Sequence, residues 1–222
     1  MDGNRRWAKK RGLPRSAGHK EGAQTLQKIV KAVSDMGIKY FTVYAFSTEN
    51  WHRDSDEVSY LMNLLREYLN NDIKEIQKQG GRIRFIGERD MLDADIVEKI
   101  SEIEKQTSLN DKFTFCVALS YGSRAEIISA AQKAAKAVAQ GYMKAEDIDE
   151  NSFSKFLYTS DIPDPDILIR TSGEQRISNY LLWQIAYSEL FFTPTLWPDF
   201  SEAELKEIIS DFNSRERRYG KV

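Results

Sequence analysis

The first twenty residues place one carboxylate inside a dense basic segment. They begin Met1-Asp-Gly-Asn-Arg-Arg-Trp-Ala-Lys-Lys-Arg and contain seven Lys or Arg residues but a single acid, Asp2. Their net charge is therefore +6, whereas the whole chain carries −2, which leaves −8 for the remaining 202 residues. Arginines bind phosphate oxygens and carboxylates bind Mg²⁺, so the segment predicts a site for a magnesium-bound pyrophosphate. A solvated basic arm, or one that touches nucleic acid, is the alternative. The candidate residues are Asp2, Asn4, Arg5, Arg6, Arg15 and His19.

A second polar cluster follows the apolar run 40–45. In Phe46-Ser-Thr-Glu-Asn-Trp-His-Arg53, hydroxyl, carboxylate, amide and guanidinium groups stand together, with Trp51 as an apolar wall. This mixture suits the binding of a polar ligand. The alternative is an ordinary turn in which a Ser or Thr caps the next helix.

A third cluster, residues 169–178, follows another short apolar run. Arg170 and Arg176 flank a glycine turn, and Ser178 adds a hydroxyl. Two guanidinium groups can hold a diphosphate in a bidentate manner, which two lysines cannot do as well. A surface salt-bridge loop is the alternative. Glu189 lies further on between apolar neighbours, so it must be paired, neutral or bound to a cation.

The elements that would position these residues alternate between strand and helix patterns. Helical spacing of apolar residues covers 22–36, 58–76, 94–104, 125–139 and 202–215, and strand patterns cover 40–45, 82–86, 113–119 and 167–170. Ser201 and Glu204 form a capping-box pattern before the last helix. Alternating strands and helices predict one α/β domain, residues 1–222, with a mostly parallel central sheet flanked by helices. Ligands of such sheets bind beyond the carboxyl ends of the strands, where 46–53 and 171–178 are expected.

Composition narrows the function classes. With 41% hydrophobic and 30% charged residues, the 222-residue chain is typical of a globular protein. One cysteine excludes an intramolecular disulfide and favours a reducing compartment, so we expect a cytoplasmic location. The sequence lacks G-x-x-x-x-G-K-[ST], G-x-G-x-x-G and HExxH, and it has two histidines, which disfavours a P-loop hydrolase and a His-built zinc site. It also lacks the Asp-Asp-x-x-Asp signature of the all-helical trans-prenyl synthases. Because the chain beyond residue 20 is acidic, we expect no nucleic-acid partner.

Taken together, the polar segments resemble the cis-prenyltransferases (Z-isoprenyl diphosphate synthases), most closely the bacterial undecaprenyl diphosphate synthases. The resemblance covers essentially the whole chain, in order and spacing. Its motifs are Met1-Asp-Gly-Asn-x-Arg-Trp-Ala8, Gly18-His-Lys20, Tyr44-Ala-Phe-Ser-Thr-Glu-Asn-Trp51, Tyr121-Gly-x-Arg124, the run from Asp164 to Asn179, Trp183-Gln184, Tyr187-Ser-Glu189 and Leu196-Trp-Pro-Asp-Phe200.

The resemblance implies a fold, a reaction and a partner. It implies a parallel sheet and helices that enclose an apolar tunnel, in a homodimer that adds isopentenyl diphosphate repeatedly to an allylic starter, commonly farnesyl diphosphate. Each new double bond would be cis, and Mg²⁺ would be required. The long polyprenyl product, which in bacteria is undecaprenyl diphosphate for cell-wall glycans, would draw the tunnel mouth to the inner face of a membrane as a peripheral contact. The long helix after Val58 and the strand from Phe113 would form tunnel walls, or simply core.

The resemblance also assigns roles. Asp2 would be the catalytic acid that binds Mg²⁺, with Glu189 as a second metal contact, and Asn50 matches the position described as the proton acceptor. A neutral amide is a poor base, so we expect Asn50 to orient a water or the leaving pyrophosphate instead. The other substrate-binding residues implied are Gly3, Asn4, Arg5, Arg6, Trp7, Arg15 and His19 for the allylic site, Ser47, Thr48, Glu49, Trp51 and Arg53 for the reacting ends, and Arg170, Arg176, Ile177 and Ser178 for isopentenyl diphosphate.

The chain departs from the family pattern at four positions, where glycine, proline, glycine and histidine are common: Arg5, Asp54, Ser123 and Gln175. The apolar strand usual before Met-Asp-Gly-Asn is absent, so we expect that residues upstream of Met1 are omitted. Arg218-Tyr-Gly220 matches the family's Arg-x-Gly tail, which supports a dimer. Two alternatives stay open: a synthase of shorter cis products, and a non-catalytic partner subunit, which typically lacks the acid and the arginines.

Overall fold

The structure, a computed structural model, describes residues 1–71 and 73–215. Its helices are α1 (Asn4–Lys10), α2 (Arg15–Asp35), α3 (Ser55–Asn71), α4 (Ile73–Lys78), α5 (Ala94–Gln106), α6 (Ser123–Ala139), α7 (Glu150–Ser154) and α8 (Glu202–Ser214). Its strands are β1 (Tyr40–Ser47), β2 (Gly81–Ile86), β3 (Phe113–Tyr121), β4 (Ile167–Arg170) and β5 (Glu189–Phe192). The predicted Arg218–Gly220 tail lies outside the described residues.

The chain divides into two compact units, each with its own parallel ladder. The first unit comprises Met1–Ala32, Asp166–Gln175 and the chain from Tyr187, and the second comprises Val33–Pro165 and Arg176–Ala186. Strands β4 and β5 pair in the first unit, and β1, β3 and β2 pair in that order in the second. The predicted parallel α/β class is confirmed, with its strands in two ladders, whereas the single domain and the tunnel stay predictions.

Strand β3 forms the centre of the second unit because nearly all of it is apolar. It is flanked by β1 and β2, so both its edges are hydrogen-bonded, and every residue from Phe115 to Tyr121 is buried. Helices α4 and α5 cover β2, as expected of a parallel sheet. Ser47 pairs with Tyr121 where β1 and β3 end, so the segments that follow these two strands begin side by side.

The first unit brings the chain start to β4. The main-chain N–H of Trp197 donates to the carbonyl oxygen of Asp2 at 3.0 Å. The Thr171 hydroxyl, just after β4, accepts from the Asp2 N–H at 3.0 Å and donates to the Asp2 carbonyl at 2.9 Å. Asp2 therefore lies at the carboxyl end of a parallel strand, where ligands of such sheets are expected.

Several local predictions were wrong. The basic start forms helix α1, and α2 begins at Arg15 rather than at residue 22. These segments pack through glycines, which add no side chain to an apolar repeat, so the apolar pattern did not indicate a helix there. The helix predicted over 58–76, by contrast, is confirmed over its described residues, which belong to α3 (Ser55–Asn71) and α4 (Ile73–Lys78). Strand β5 was missed because its four residues begin with the charged Glu189 and follow a polar segment. Ser201 caps α8 as predicted, but the Glu204 carboxylate accepts from the Thr193 hydroxyl rather than completing a capping box.

In the described part of the chain, no helix is long and apolar enough to cross a membrane.

Candidate active site

The carboxylate of Asp2 is held by one charged and one neutral donor. Its Oδ1 accepts from the Gly3 N–H at 2.8 Å, and its Oδ2 accepts from Nη2 of Arg170 at 3.1 Å. The Asp2 side chain is 40% exposed, whereas that of Arg170 is 16% exposed. The carboxylate is thus oriented by the protein and still open to solvent, which suits an acid that must meet a ligand.

Arg6 lies near the same carboxylate but is paired mainly with another acid. Its Nη2 is 3.8 Å from Asp2 Oδ1 and 2.9 Å from Glu174 Oε1. Its Nη1 donates to the Ser172 carbonyl at 3.0 Å. Sequence reasoning missed Glu174 as a partner, although it stands in the quoted glycine turn. Two acids and two arginines therefore form one ionic cluster, and an incoming pyrophosphate would compete with Glu174 for Arg6.

Close backbone approach explains the glycines of this segment. Gly3 begins α1 with φ 107°, a conformation that favours glycine. A Cβ on Gly18 would lie 2.1 Å from the Asn4 carbonyl oxygen, and one on Gly22 would lie 2.5 Å from Asn4 Oδ1. That Oδ1 is buried and has no hydrogen-bond partner among the described residues. Asn4, the first residue of α1, thus packs against α2, on which His19 is half-buried.

Trp7 is fixed by a contact that the sequence reasoning missed. Its Nε1 donates to Asp199 Oδ1 at 2.7 Å, and the guanidinium of Arg11 stacks over its ring at 4.2 Å while binding the same carboxylate. Arg5 and Arg15 are exposed, so either can meet an anion from solvent. The allylic role of all these residues stays a prediction.

Glu189 is paired, the first of the three states that its apolar surroundings allowed. It begins β5, and its Oε2 accepts from Nη1 of Arg215 at 2.8 Å. Arg215 also binds Asp211 at 2.7 Å and lies 4.2 Å over the ring of Phe191. Among residues 1–71 and 73–215, no group of three or more His, Cys, Asp or Glu side chains could hold a metal ion. A Glu189 metal contact stays a prediction.

In the second unit, the segment after β1 forms a single 3₁₀ turn, Thr48–His52. The Asn50 Oδ1 accepts from the Ser47 N–H at 3.1 Å, which is one half of a capping box at the start of this turn. Trp51 Nε1 donates to the Ser120 hydroxyl at 2.9 Å, and the Trp51 ring meets Phe46 edge-on at 4.9 Å. Arg53 pairs with Glu57 at 3.1 Å. The turn is therefore rigid.

Glu49 on this turn is held ionised. Its Oε1 accepts from Nδ2 of Asn179 at 2.8 Å. Partial burial acts to raise the pKa of Glu49, but the hydrogen bonds from Asn179, from its own backbone and from Ser47 and Thr48 outweigh it and lower the pKa below its ordinary value. The carboxylate keeps its charge at neutral pH.

The predicted diphosphate clamp is spread over both units. Arg170 belongs to the first, where it binds Asp2. Arg176, Ile177 and Ser178 belong to the second, with Arg176 and Ser178 exposed. Their joint action on isopentenyl diphosphate stays a prediction.

The departure at Ser123 is compatible with the fold. Ser123 is fully buried at the start of α6, and its hydroxyl accepts from the Leu182 N–H at 2.9 Å. A glycine there would lack this bond, so serine adds a tie to the segment that follows Asn179.

Comparisons with known proteins match this chain over its length. A prenyltransferase family model, described as undecaprenyl diphosphate synthase, matches residues 1–220. The isoprenyl transferase of Fusobacterium nucleatum is 52% identical over 222 residues, covering 100% of this chain and 94% of the relative. That of Bacillus subtilis is 46% identical over 222 residues, covering 100% of this chain and 85% of the relative.

Solved structures agree. Lavandulyl diphosphate synthase of Lavandula x intermedia, determined with dimethylallyl diphosphate, matches with a TM-score of 0.95 and 37% identity, over 100% of this chain and 95% of that one. A Campylobacter jejuni protein described as an undecaprenyl diphosphate synthase matches with a TM-score of 0.81 and 34% identity, over 91% and 93%.

This chain thus has both the fold and acid–arginine cluster described above and sequence similarity to prenyl-transferring enzymes. The chain belongs to the undecaprenyl diphosphate synthase family of cis-prenyltransferases. It is a prenyltransferase of the kind that elongates prenyl chains.

Proposed function

We propose that this protein condenses isopentenyl diphosphate repeatedly onto an allylic diphosphate, with farnesyl diphosphate as starter, to give a long cis-polyprenyl diphosphate such as undecaprenyl diphosphate. The observation that carries the proposal is the Asp2 carboxylate, oriented by Gly3 and Arg170 and open to solvent. An acid held among arginines suits the departure of a pyrophosphate group. Negative charge develops on the pyrophosphate as its bond to carbon breaks, and the neighbouring arginines would stabilise that charge.

Asp2 also fits a Mg²⁺ ion by its donor chemistry. Mg²⁺ is usually held by one or two carboxylates together with substrate phosphates, and a half-exposed carboxylate provides such a ligand. Asp2 would hold the ion with Glu189 as second contact, where the ion would compete with Arg215 for the carboxylate. When bound, Mg²⁺ would neutralise charge that develops on the leaving pyrophosphate.

The chain's own residues divide the remaining work. Arg6 would bind the allylic pyrophosphate by exchanging Glu174 for phosphate oxygens, while Arg170, Arg176 and Ser178 would hold isopentenyl diphosphate. Because Asn50 Oδ1 accepts from Ser47, its Nδ2 is the group left to donate, which suits a pyrophosphate oxygen better than proton abstraction. The pyrophosphate would take the proton.

A second candidate is a synthase of short products from dimethylallyl diphosphate. The TM-score of 0.95 with lavandulyl diphosphate synthase favours it. A non-catalytic partner subunit is less favoured, because Asp2, Arg170, Arg176 and Glu189 are all present.

We further propose a homodimer that works in the cytoplasm, peripheral to the inner face of the membrane. Exposed apolar side chains on and beside β5 support an interface there: Tyr187, Leu190 and Phe192. Light scattering of the purified protein would give the mass of one or two chains. Co-sedimentation with anionic vesicles, with and without product, would detect membrane contact.

The decisive experiment incubates the protein with labelled isopentenyl diphosphate and either farnesyl or dimethylallyl diphosphate, with and without Mg²⁺. Mg²⁺-dependent long products would support the first proposal, and products of one or two additions would favour the second. Asp2→Ala should lower kcat by orders of magnitude, whereas Arg176→Ala should mainly raise KM for isopentenyl diphosphate. Normal kinetics for both variants would refute the site. No product from either starter would favour the partner subunit.

A further inference from the structure

Asn179 joins three segments of the second unit through a single side chain and its backbone. Its Nδ2 donates to Glu49 Oε1 at 2.8 Å, and its Oδ1 accepts from the Arg124 N–H at 2.9 Å. Its main-chain carbonyl accepts from the Ser123 N–H at 2.8 Å. Asn179 directly follows Ser178, the last residue of the predicted clamp. Three segments therefore meet at Asn179: the turn after β1, the start of α6 and the clamp segment, Arg176–Ser178.

The backbone at this residue is specialised for the contact. Ser178 and Asn179 have φ values of 53° and 59°, in the left-handed region where asparagine is among the most tolerated non-glycine residues. The next residue, Tyr180, is buried and stacks on Tyr44 with ring centroids 4.5 Å apart. A buried anchor on one side thus holds a strained turn in place, as strained residues require.

Space for the contact is made by a glycine. A Cβ on Gly122 would lie 2.5 Å from Thr48 Oγ1 and 2.9 Å from Asn179 Nδ2. A side chain at residue 122 would therefore force the side chain of Thr48 or of Asn179 to shift.

We propose that Asn179 is a positioning residue that fixes the Glu49 carboxylate and the Arg176–Ser178 segment for the condensation of isopentenyl diphosphate. This inference rests on the proposed function. Glu49 has a neutral amide as its partner, so it is oriented without loss of its charge. The same amide connects Glu49 to the clamp segment, so a displacement of either one would also move the other.

The test replaces one donor and preserves shape. Asn179→Asp keeps the oxygen that accepts from Arg124 but places a carboxylate against Glu49, and aspartate also tolerates the left-handed conformation. KM for isopentenyl diphosphate should rise about tenfold, the size of a lost hydrogen bond to a charged group. KM for the allylic diphosphate should stay within about twofold, because Asn179 contacts the clamp segment and the Glu49 turn. Asn151→Asp on the exposed first turn of α7 adds the same charge and should change neither constant.

A reversed pair separates positioning from folding. In Glu49→Gln with Asn179→Asp, the new amide can donate to the new carboxylate, which restores the bond with donor and acceptor exchanged. Glu49→Gln alone measures the direct role of the carboxylate. The rise in KM caused by Asn179→Asp should fall below about threefold in the Glu49→Gln background, as coupled residues require.

The outcomes are distinct. An equal rise in both backgrounds, or unchanged KM in Asn179→Asp, would overturn the inference. A fall in kcat alone would also overturn it, because a merely structural role reduces the fraction of active enzyme and leaves both KM values unaltered. If the unaltered protein gave no product, the proposed function itself would fall, and the inference with it.

Discussion

Replacing Thr171 by valine should detach the chain start from the end of β4. The Thr171 hydroxyl is buried, accepts from the Asp2 N–H at 3.0 Å and donates to the Asp2 carbonyl at 2.9 Å. Valine has nearly the same shape but makes neither bond. Asp2 N–H would lose its partner, whereas the carbonyl would keep the bond from Trp197. The perturbation therefore acts on the position of Asp2 and leaves its carboxylate chemically intact.

The magnitude follows from the two bonds. At about 1 kcal/mol each, their loss should lower the free energy of unfolding by about 2 kcal/mol. For a chain of this size that corresponds to a fall in Tm of about 4–8 °C. A shift of the Asp2 carboxylate by about 1 Å should lower kcat about a hundredfold, since catalytic groups tolerate little displacement. Calorimetry and steady-state assays with isopentenyl and farnesyl diphosphates measure both effects.

A matched variant separates stability from positioning. Thr25 is also buried in the first unit, and its hydroxyl donates to the Pro198 carbonyl at 3.0 Å. Thr25→Val should lose about 1 kcal/mol of stability, with kcat within about twofold of normal. Thr171→Ser keeps the hydroxyl and should retain most of kcat. If Thr171→Val lost stability but kept kcat within threefold, the reasoning that its hydroxyl positions Asp2 would be refuted.

Three further predictions concern the second unit. Gly122→Ala should raise KM for isopentenyl diphosphate, because its Cβ would push against Thr48 and Asn179; a normal KM would contradict the close approach. Burial raises the pKa of Cys116 to about 12, so its thiol should stay unreactive toward a thiol reagent at pH 8 until the protein is unfolded; rapid labelling of folded protein would contradict this. The lowered pKa of Glu49 means that its contribution to stability is present above pH 4.5 and is lost as the pH falls through the folded value. Asn179→Ala should therefore flatten the dependence of the unfolding free energy on pH below pH 4.5, and an unchanged slope would count against this contact.

The sequence singled out the charged candidates for the site more readily than their partners. Asp2, Arg170 and Glu189 are recognisable because charges beside glycine turns or inside apolar runs are unusual. Their actual partners are distant in the chain: Asp2 meets Thr171, and Glu189 meets Arg215. Such pairings follow from strand order, which periodicity does not determine.

Short elements and glycine-mediated packing account for the remaining differences. Helix α1 is short and largely basic, and the four residues of β5 begin with the charged Glu189, so neither shows an apolar pattern. Strand β3 was predicted well because a run buried on both faces is apolar throughout. The long apolar elements and the four-residue strand β4 were thus predictable, whereas α1 and β5, which carry other candidate charges, were not.

The hydrogen-bond partners of Glu49, Asp2 and Glu189 differ in charge, which suggests that the three carboxylates do not all have the same role. Glu49 is held by a neutral amide, so its charge remains available to act on a ligand. Asp2 has one neutral and one arginine donor, so a metal ion would compete with Arg170 for a single oxygen. Glu189 is bound by Arg215 through Oε2, and Arg215 is itself shared with Asp211, so a cation at Glu189 would likewise compete with an arginine for a single oxygen. Since the loss of a charge-assisted bond costs about 1.5–3 kcal/mol, Asp2 and Glu189 should both bind Mg²⁺ weakly until the substrate's own phosphates add to the attraction.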